Sequence, residues 1–157
     1  MSVAFRRESD EEHLEPRFEL PIPPGPNLVT PRGAAMIAAR MEELEAAVAA
    51  GGDEETLKAL RRDLRYWRTR HATAQVMAPA DGGKAAFGTR VTYRLNEGAP
   101  VAVEIVGDDE ADPKARRIAF SSPIARALIG AEAGEFVDFS GKEEAIEIVS
   151  VEVLPQP

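Results

Sequence analysis

The stretch IVGDDEADPKARRIAFSSPIARALIG, residues Ile105–Gly130, decides how this chain is read. It opens on β-branched apolar residues that end a strand beginning at Val101. Four acids follow almost at once, Asp108, Asp109, Glu110 and Asp112, and Pro113 then marks a turn. Arg117–Phe120 reads as a second, short strand. Ser121 and Ser122 stand before Pro123, and a serine cap with proline at the first helical position starts a helix. Ile124, Leu128 and Ile129 give that helix, Pro123–Ile129, an apolar face. Strand, acidic loop, strand and Ser-Pro helix form an uncommon order, and they set an α+β unit in the C-terminal half.

The flanking sequence continues in strands. Thr89–Leu95 alternates and is rich in β-formers, Val101–Val106 is apolar at alternate positions, and Phe136–Phe139 follows Gly134. Ala145–Val153 sets Ile146, Ile148 and Val151 against Glu147 and Glu152 with one slip in the alternation. These segments predict a small antiparallel sheet crossed by one helix. Further upstream the period changes. Thr30 followed by Pro31 is a helix start, and Ile37, Met41, Leu44 and Val48 then recur on one helical stripe. Gly51 and Gly52 stop that helix, and Asp53 caps the next. Leu57, Leu60, Leu64 and Trp67 form the second stripe, which Pro79 and the Asp81-Gly82-Gly83 turn close. Two apolar stripes joined by a short turn bury each other as an antiparallel helical hairpin. A 20-residue arm spans about 30 Å.

The domain plan that follows is an extended or disordered proline-rich leader over residues 1–28, a hairpin over 29–78, a linker over 79–84 and a sheet domain over 85–157. The leader carries Pro16, Pro21, Pro23, Pro24 and Pro26, which exclude a helix or a central strand. Phe5, Leu14, Phe18, Leu20 and Ile22 leave it some capacity to dock. The net charge of −8 argues against indiscriminate binding to nucleic-acid backbones, so protein partners are the better expectation. Charge is uneven: the segment from Asn27 to Ala80 holds eight basic and seven acidic residues, whereas both flanks are acidic. With no cysteine there is no disulfide framework or thiolate metal site. The start lacks the apolar core of a signal peptide, and no run approaches the roughly 20 apolar residues of a membrane span. A cytoplasmic, monomeric protein with no membrane partner is expected.

Two features, the acidic turn Asp108–Lys114 and the helix start SSPIARALIG with the Gly134 turn behind it, resemble the C-terminal domain of the Gre-type (GreA/GreB) transcript-cleavage factors of bacterial RNA polymerase. VTPRGAAMIAARMEELEAAV, Val29–Val48, resembles the start of that family's helical hairpin. The likeness covers roughly residues 29–154. It implies an FKBP-like fold for the sheet domain, and a protein that is not itself an enzyme but regulates the polymerase's own hydrolysis of backtracked RNA. The short arm is similar also to the non-cleaving secondary-channel regulators of the Rnk type. The proline-rich leader departs from the family pattern.

Candidate site residues fall in three groups. At the hairpin tip, GGDEET, the resemblance implies a catalytic role for Asp53, Glu54 and Glu55, with Asp53 and Glu54 as ligands to a Mg²⁺ shared with the polymerase active site. The family's tip reads Gly-Asp-x-x-Glu-Asn, whereas here two glutamates follow Asp53 directly. Read without the family, Asp53 caps a helix and the glutamates complement its dipole. Lys58, Arg61, Arg65 and Arg68 share a helical face, and by resemblance would steer the nascent RNA 3′ end. Arg62 and Arg70 add to that charge, and the alternative is a solvated face paired with Glu42, Glu43 and Glu45. The third group, implied to grip RNA polymerase, is Asp112, Ser121, Ser122, Pro123, Ile124 and Arg126, beside the acidic loop.

Conventional catalysis finds little support. His13 and His71 are the two histidines, and no phosphate loop or G-x-S-x-G accompanies them. A peptidyl-prolyl isomerase is the alternative in a different class, needing a pocket built from Phe87, Tyr93, Phe120, Phe136 and Phe139. An adaptor that binds proteins through its helices is another.

Overall fold

The computed structural model describes residues 19–155. Strand β1 (Leu28–Val29) leads into helix α1 (Pro31–Ala50), and a glycine turn joins it to helix α2 (Glu54–Thr73). Strand β2 (Gln75–Val76) follows, and then β3 (Thr89–Leu95) and β4 (Val101–Val106). A 3-10 turn at Pro113–Ala115, β5 (Arg117–Ala119), helix α3 (Pro123–Leu128), β6 (Phe136–Phe139) and β7 (Lys142–Val153) complete an α+β chain. Phe5, His13, Leu14, Pro16 and Phe18 of the leader lie outside the described residues. No helix among those described is long and apolar enough to cross a membrane.

The chain forms two compact units. One holds Ile37–Thr73 with the segment that ends at Gly25. Within it Ile37, Leu44 and Leu64 are buried, and Met41, Val48, Leu57, Leu60 and Trp67 are half-buried, so every position of both apolar stripes loses solvent. Arg68 Nη2 reaches Glu45 Oε2 at 3.3 Å, which brings α2 alongside the second half of α1. Tyr66 packs edge-on to Trp67, with ring centroids 5.1 Å apart.

The other unit holds Pro26–Met36 and the chain from Ala74 onward. Its main sheet has the strand order β5-β4-β3-β7-β6. β3 pairs antiparallel with both β4 and β7, and β6 antiparallel with β7 across the two-residue turn Ser140-Gly141, both at positive φ as such hairpins require. The expected all-antiparallel sheet is corrected at one edge, where β5 runs parallel to β4. The cause is local. Asp112 pairs with Arg117 across the tight turn at Pro113–Ala115, and Arg116 at φ 58 swings the chain back into the direction of β4. The slip seen in the alternation of β7 is a bulge opposite Thr92 and Tyr93. Val91, Val103, Ile105, Ile146 and Ile148 pack with Ala125 and Leu128 of α3 to form the core.

Three features of this unit lie outside the expected plan. Helix α2 ends at Thr73, well before Pro79, because the chain there enters β2, parallel to β1 with Leu28 opposite Gln75. Leu28 is thus a strand residue rather than leader. Gly107 touches this pair so closely that a Cβ would lie 2.4 Å from the Leu28 carbonyl oxygen. Glu110, one of the four acids of the loop, is buried: Thr30 Oγ1 donates to Oε1 at 2.6 Å and Arg32 Nη1 to Oε2 at 3.1 Å. Thr30 Oγ1 also accepts the Gly33 N–H at 2.9 Å, so cap, carboxylate and first helical turn form one network. Removing it with Glu110→Ala should destabilise this unit by about 2 kcal/mol, read as a lower denaturant midpoint. Gly107→Ala should lower the midpoint as well, because the backbone at Leu28 must move to admit the methyl.

Candidate functional site

The turn between α1 and α2 is built on Gly51 at φ +84 and Gly52 at φ +148, where a side chain would be strained. The Gly51 N–H closes α1 on the Val48 carbonyl at 3.1 Å. Asp53 Oδ1 then accepts the Thr56 N–H at 2.7 Å and opens α2. Asp53, Glu54 and Glu55 are all exposed, so three carboxylates crowd the junction of two 20-residue helices. The hydrogen bond from the Thr56 backbone, then that from the Thr56 side chain, holds the Asp53 carboxyl below its usual range. A carboxylate has about four lone-pair sites, and the cap engages only some of them. Among the described residues no group of three or more His, Cys or acidic side chains is set to hold a metal unaided. The tip can therefore lend one or two oxygens to an ion held elsewhere, which suits the sparse protein ligation of Mg²⁺.

Lys58, Arg61, Arg65 and Arg68 are exposed along α2 as the spacing predicts. The two arginines nearest the end of the stripe face acids: Arg65 Nη2 lies 2.6 Å from Glu19 Oε1 and Arg68 meets Glu45. Glu43 pairs with Arg40 of its own helix instead. Such exposed pairs contribute at most about 1 kcal/mol and yield readily to a stronger anion. Arg62 bonds Asp63, and Arg70 is buried, so neither extends the stripe as expected from sequence.

On the sheet unit Ser122 accepts the Ala125 N–H at 3.3 Å and caps α3, with Pro123 at its first position. Ser121 Oγ donates to Asp108 Oδ1 at 2.6 Å, linking the acidic loop to the helix start. Asp112 caps the 3-10 turn. Asp112, Ser121, Pro123 and Arg126 are exposed, whereas Ile124 packs against the core. The length of β5, about 10 Å, separates Asp112 from the Ser121 end of the surface.

Sequence reasoning missed a charged row on the outer sheet face. Arg117, Glu104, Arg90 and Glu152 lie side by side on four strands, with contacts of 3.3, 2.7 and 3.5 Å in turn. The Glu104 hydrogen bond is the main reason that the Arg90 pKa is raised. Alternation marked these positions as outward, but only strand register makes them neighbours. The aromatic residues divide differently. Tyr93, Phe120 and Phe139 pack on the core, Phe87 meets Phe120 edge-on at 5.6 Å, and Phe136 stays exposed.

Residues 79–153 match the family described as Transcription elongation factor, GreA/GreB, C-term. Transcription elongation factor GreB of Pseudomonas aeruginosa is 31% identical over 166 residues, covering 90% of this chain and 99% of that protein. Transcription elongation factor GreA of Thioalkalivibrio sulfidiphilus is 47% identical over 76 residues, 46% of this chain and 48% of that protein. Against such GreA relatives the chain spans about half the length of the protein it matches. The solved GreA/GreB elongation factor from Nitrosomonas europaea covers 82% of this chain and 99% of its own, with a TM-score of 0.39 at 18% identity.

The depressed Asp53 pKa fixes the sign of a pH effect. A folded-state value below the ordinary 3.8 means that the cap stabilises α2 fully above that value and is lost as pH falls through the lower one. In an NMR titration the Thr56 amide should hold its shift from neutral pH down to that range and move only below 3.8. Asp53→Asn should keep the cap and abolish the transition, while Asp53→Ala should fray the first turn of α2.

Proposed function

We propose, from the premise that this chain belongs to the GreA/GreB family of transcription elongation factors, that it binds RNA polymerase and modulates cleavage of backtracked RNA. The single observation that carries this reading is the exposed Asp53-Glu54-Glu55 cluster between α1 and α2. The two helices act as an antiparallel hairpin, a finger about 30 Å long that enters the secondary channel. The sheet unit is FKBP-like and docks on the polymerase through Asp112, Ser121, Ser122, Pro123 and Arg126, with Ile124 packed against its core behind them. In this reading the protein works in the cytoplasm as a monomer.

In this reading the chain's own residues bind and orient. Asp53, with Glu54 or Glu55 as its helper, would hold a Mg²⁺ shared with the polymerase active site together with its water. Magnesium supplies Lewis acidity and a lowered water pKa there. Lys58, Arg61, Arg65 and Arg68 draw the RNA 3′ end along the finger, with phosphates displacing Glu19 and Glu45 from the two paired arginines. The bond broken is the polymerase's substrate, and the polymerase remains the enzyme.

A second reading within the family has its own support. Asp53 is already engaged as a helix cap, and Arg65 and Arg68 of the stripe already face acids. Both facts favour a channel-occupying regulator that does not stimulate cleavage. The isomerase alternative fares worse, because Tyr93, Phe120 and Phe139 are committed to the core.

Stalled polymerase complexes separate these readings. Wild-type protein should speed cleavage, and Asp53→Asn, which keeps the cap, should reduce that stimulation about tenfold or more at equal occupancy. Equal cleavage by both proteins at full occupancy removes the metal-ligand role and leaves channel occupation.

A further inference from the structure

The sheet unit contains a cavity of about 180 Å³ that the reading above does not use. Its walls come from three separate places: Thr30 and Arg32 at the start of α1, Met77 and Phe87 on the segment after β2, and Arg90, Glu104 and Arg117 on the sheet. Both carboxylates inside it are engaged on both oxygens. Glu110 is held by Thr30 at 2.6 Å and Arg32 at 3.1 Å, and Glu104 by Arg90 at 2.7 Å and Arg117 at 3.3 Å, one donor on each oxygen.

The arginines are not saturated. Each guanidinium has five N–H donors in a planar fork. Arg32 meets Glu110 through Nη1, and Arg117 meets Glu104 through Nε, which leaves the terminal fork of Arg117 without a carboxylate among the described residues. Arg90 is answered on its outer edge by Glu152, which is not a wall of the cavity. Within the cavity three cations thus stand against two anions, and the terminal N–H groups of Arg117 remain as donors. Arg32, with 57% of its side chain exposed, keeps the site open to solvent, while Arg117 at 23% supplies a more desolvated contact.

We propose that this cavity binds a small organic oxyanion, a phosphate or carboxylate group carried on an apolar body. The oxyanion sits between Arg32 and Arg117, where planar forks recognise such groups. The body rests on Met77 and Phe87. The volume equals that of about six waters, room for roughly ten non-hydrogen atoms, so a phenyl ring with one phosphate is near the upper size. A ligand there bridges the first turn of α1 to the sheet, through the same Arg32 that bonds Glu110.

The test uses the free full-length chain and needs no polymerase, so its outcome is independent of the cleavage reading. Phenyl phosphate, benzoate and benzyl alcohol are titrated while calorimetry and backbone amide shifts are followed. Saturable binding of one equivalent of an anion is expected, with shifts at Arg32, Met77 and Gly88, and none with benzyl alcohol. A preference between phenyl phosphate and benzoate identifies which oxyanion the site takes. Arg117→Gln and Arg32→Gln should each weaken binding about tenfold, the loss of one charge-assisted contact. Arg32→Gln alters a mostly exposed side chain, which protects the test from a folding failure at Arg117. The proposal is overturned by non-saturable behaviour in wild type, by equal binding of benzyl alcohol, or by wild-type affinity in a folded Arg32→Gln protein.

Discussion

The Glu110 carboxylate is the constraint around which the rest of the sheet unit is organised. It lies buried at the start of α1, with the Thr30 hydroxyl on one oxygen and the Arg32 guanidinium on the other. A buried charge is tolerated only when its lone pairs are answered, and here the helix's own cap and first turn answer them. The arrangement gives the acidic loop its shape, because the Glu110 N–H also closes a turn on the Gly107 carbonyl. Gly107 in turn must lack a side chain for β1 to pass. Loop, short strand and helix start are therefore one cooperative piece, although some 80 residues of sequence separate Thr30 from Glu110.

Charge is sorted by the same economy. Acids at the turn between the helices stay exposed, where helix geometry favours them and no partner in the chain neutralises all of them. On the sheet, by contrast, acids and arginines alternate across four strands and largely satisfy one another. Among the described residues the turn holds three exposed carboxylates in succession beside a pair of glycines. An exposed cluster of that kind can act on something brought to it from outside the chain. Membership of the GreA/GreB family agrees with such a role in transcription elongation.

Most of the local elements were legible because each announces itself within a few residues. Thr30-Pro31, Asp53 and Ser122-Pro123 name three helix starts, and the structure caps all three with those side chains. The alternation in Thr89–Leu95 and Val101–Val106 yields strands with those bounds. Exposure of the tip acids and the basic stripe was legible too, since it depends only on helical period and polarity. The errors share a different origin. A two-residue strand such as β1 has no period to detect, and the direction of β5 depends on one left-handed residue, Arg116, in a tight turn.

What the amino-acid order settles here is therefore whatever short-range chemistry controls: caps, apolar stripes, alternation, and the acidic turn between two helices. Which acid is buried and which is not was decided elsewhere. Glu110 and its neighbour Asp109 are alike in composition and sequence setting, yet Glu110 alone of the two is buried, against Thr30 and Arg32. The Arg90–Glu104–Arg117 row and the cavity above it likewise exist only once strand register and the start of α1 are in place. Burial and pairing arise from atoms meeting across long separations, and that information resides in three dimensions rather than in any local stretch of the chain.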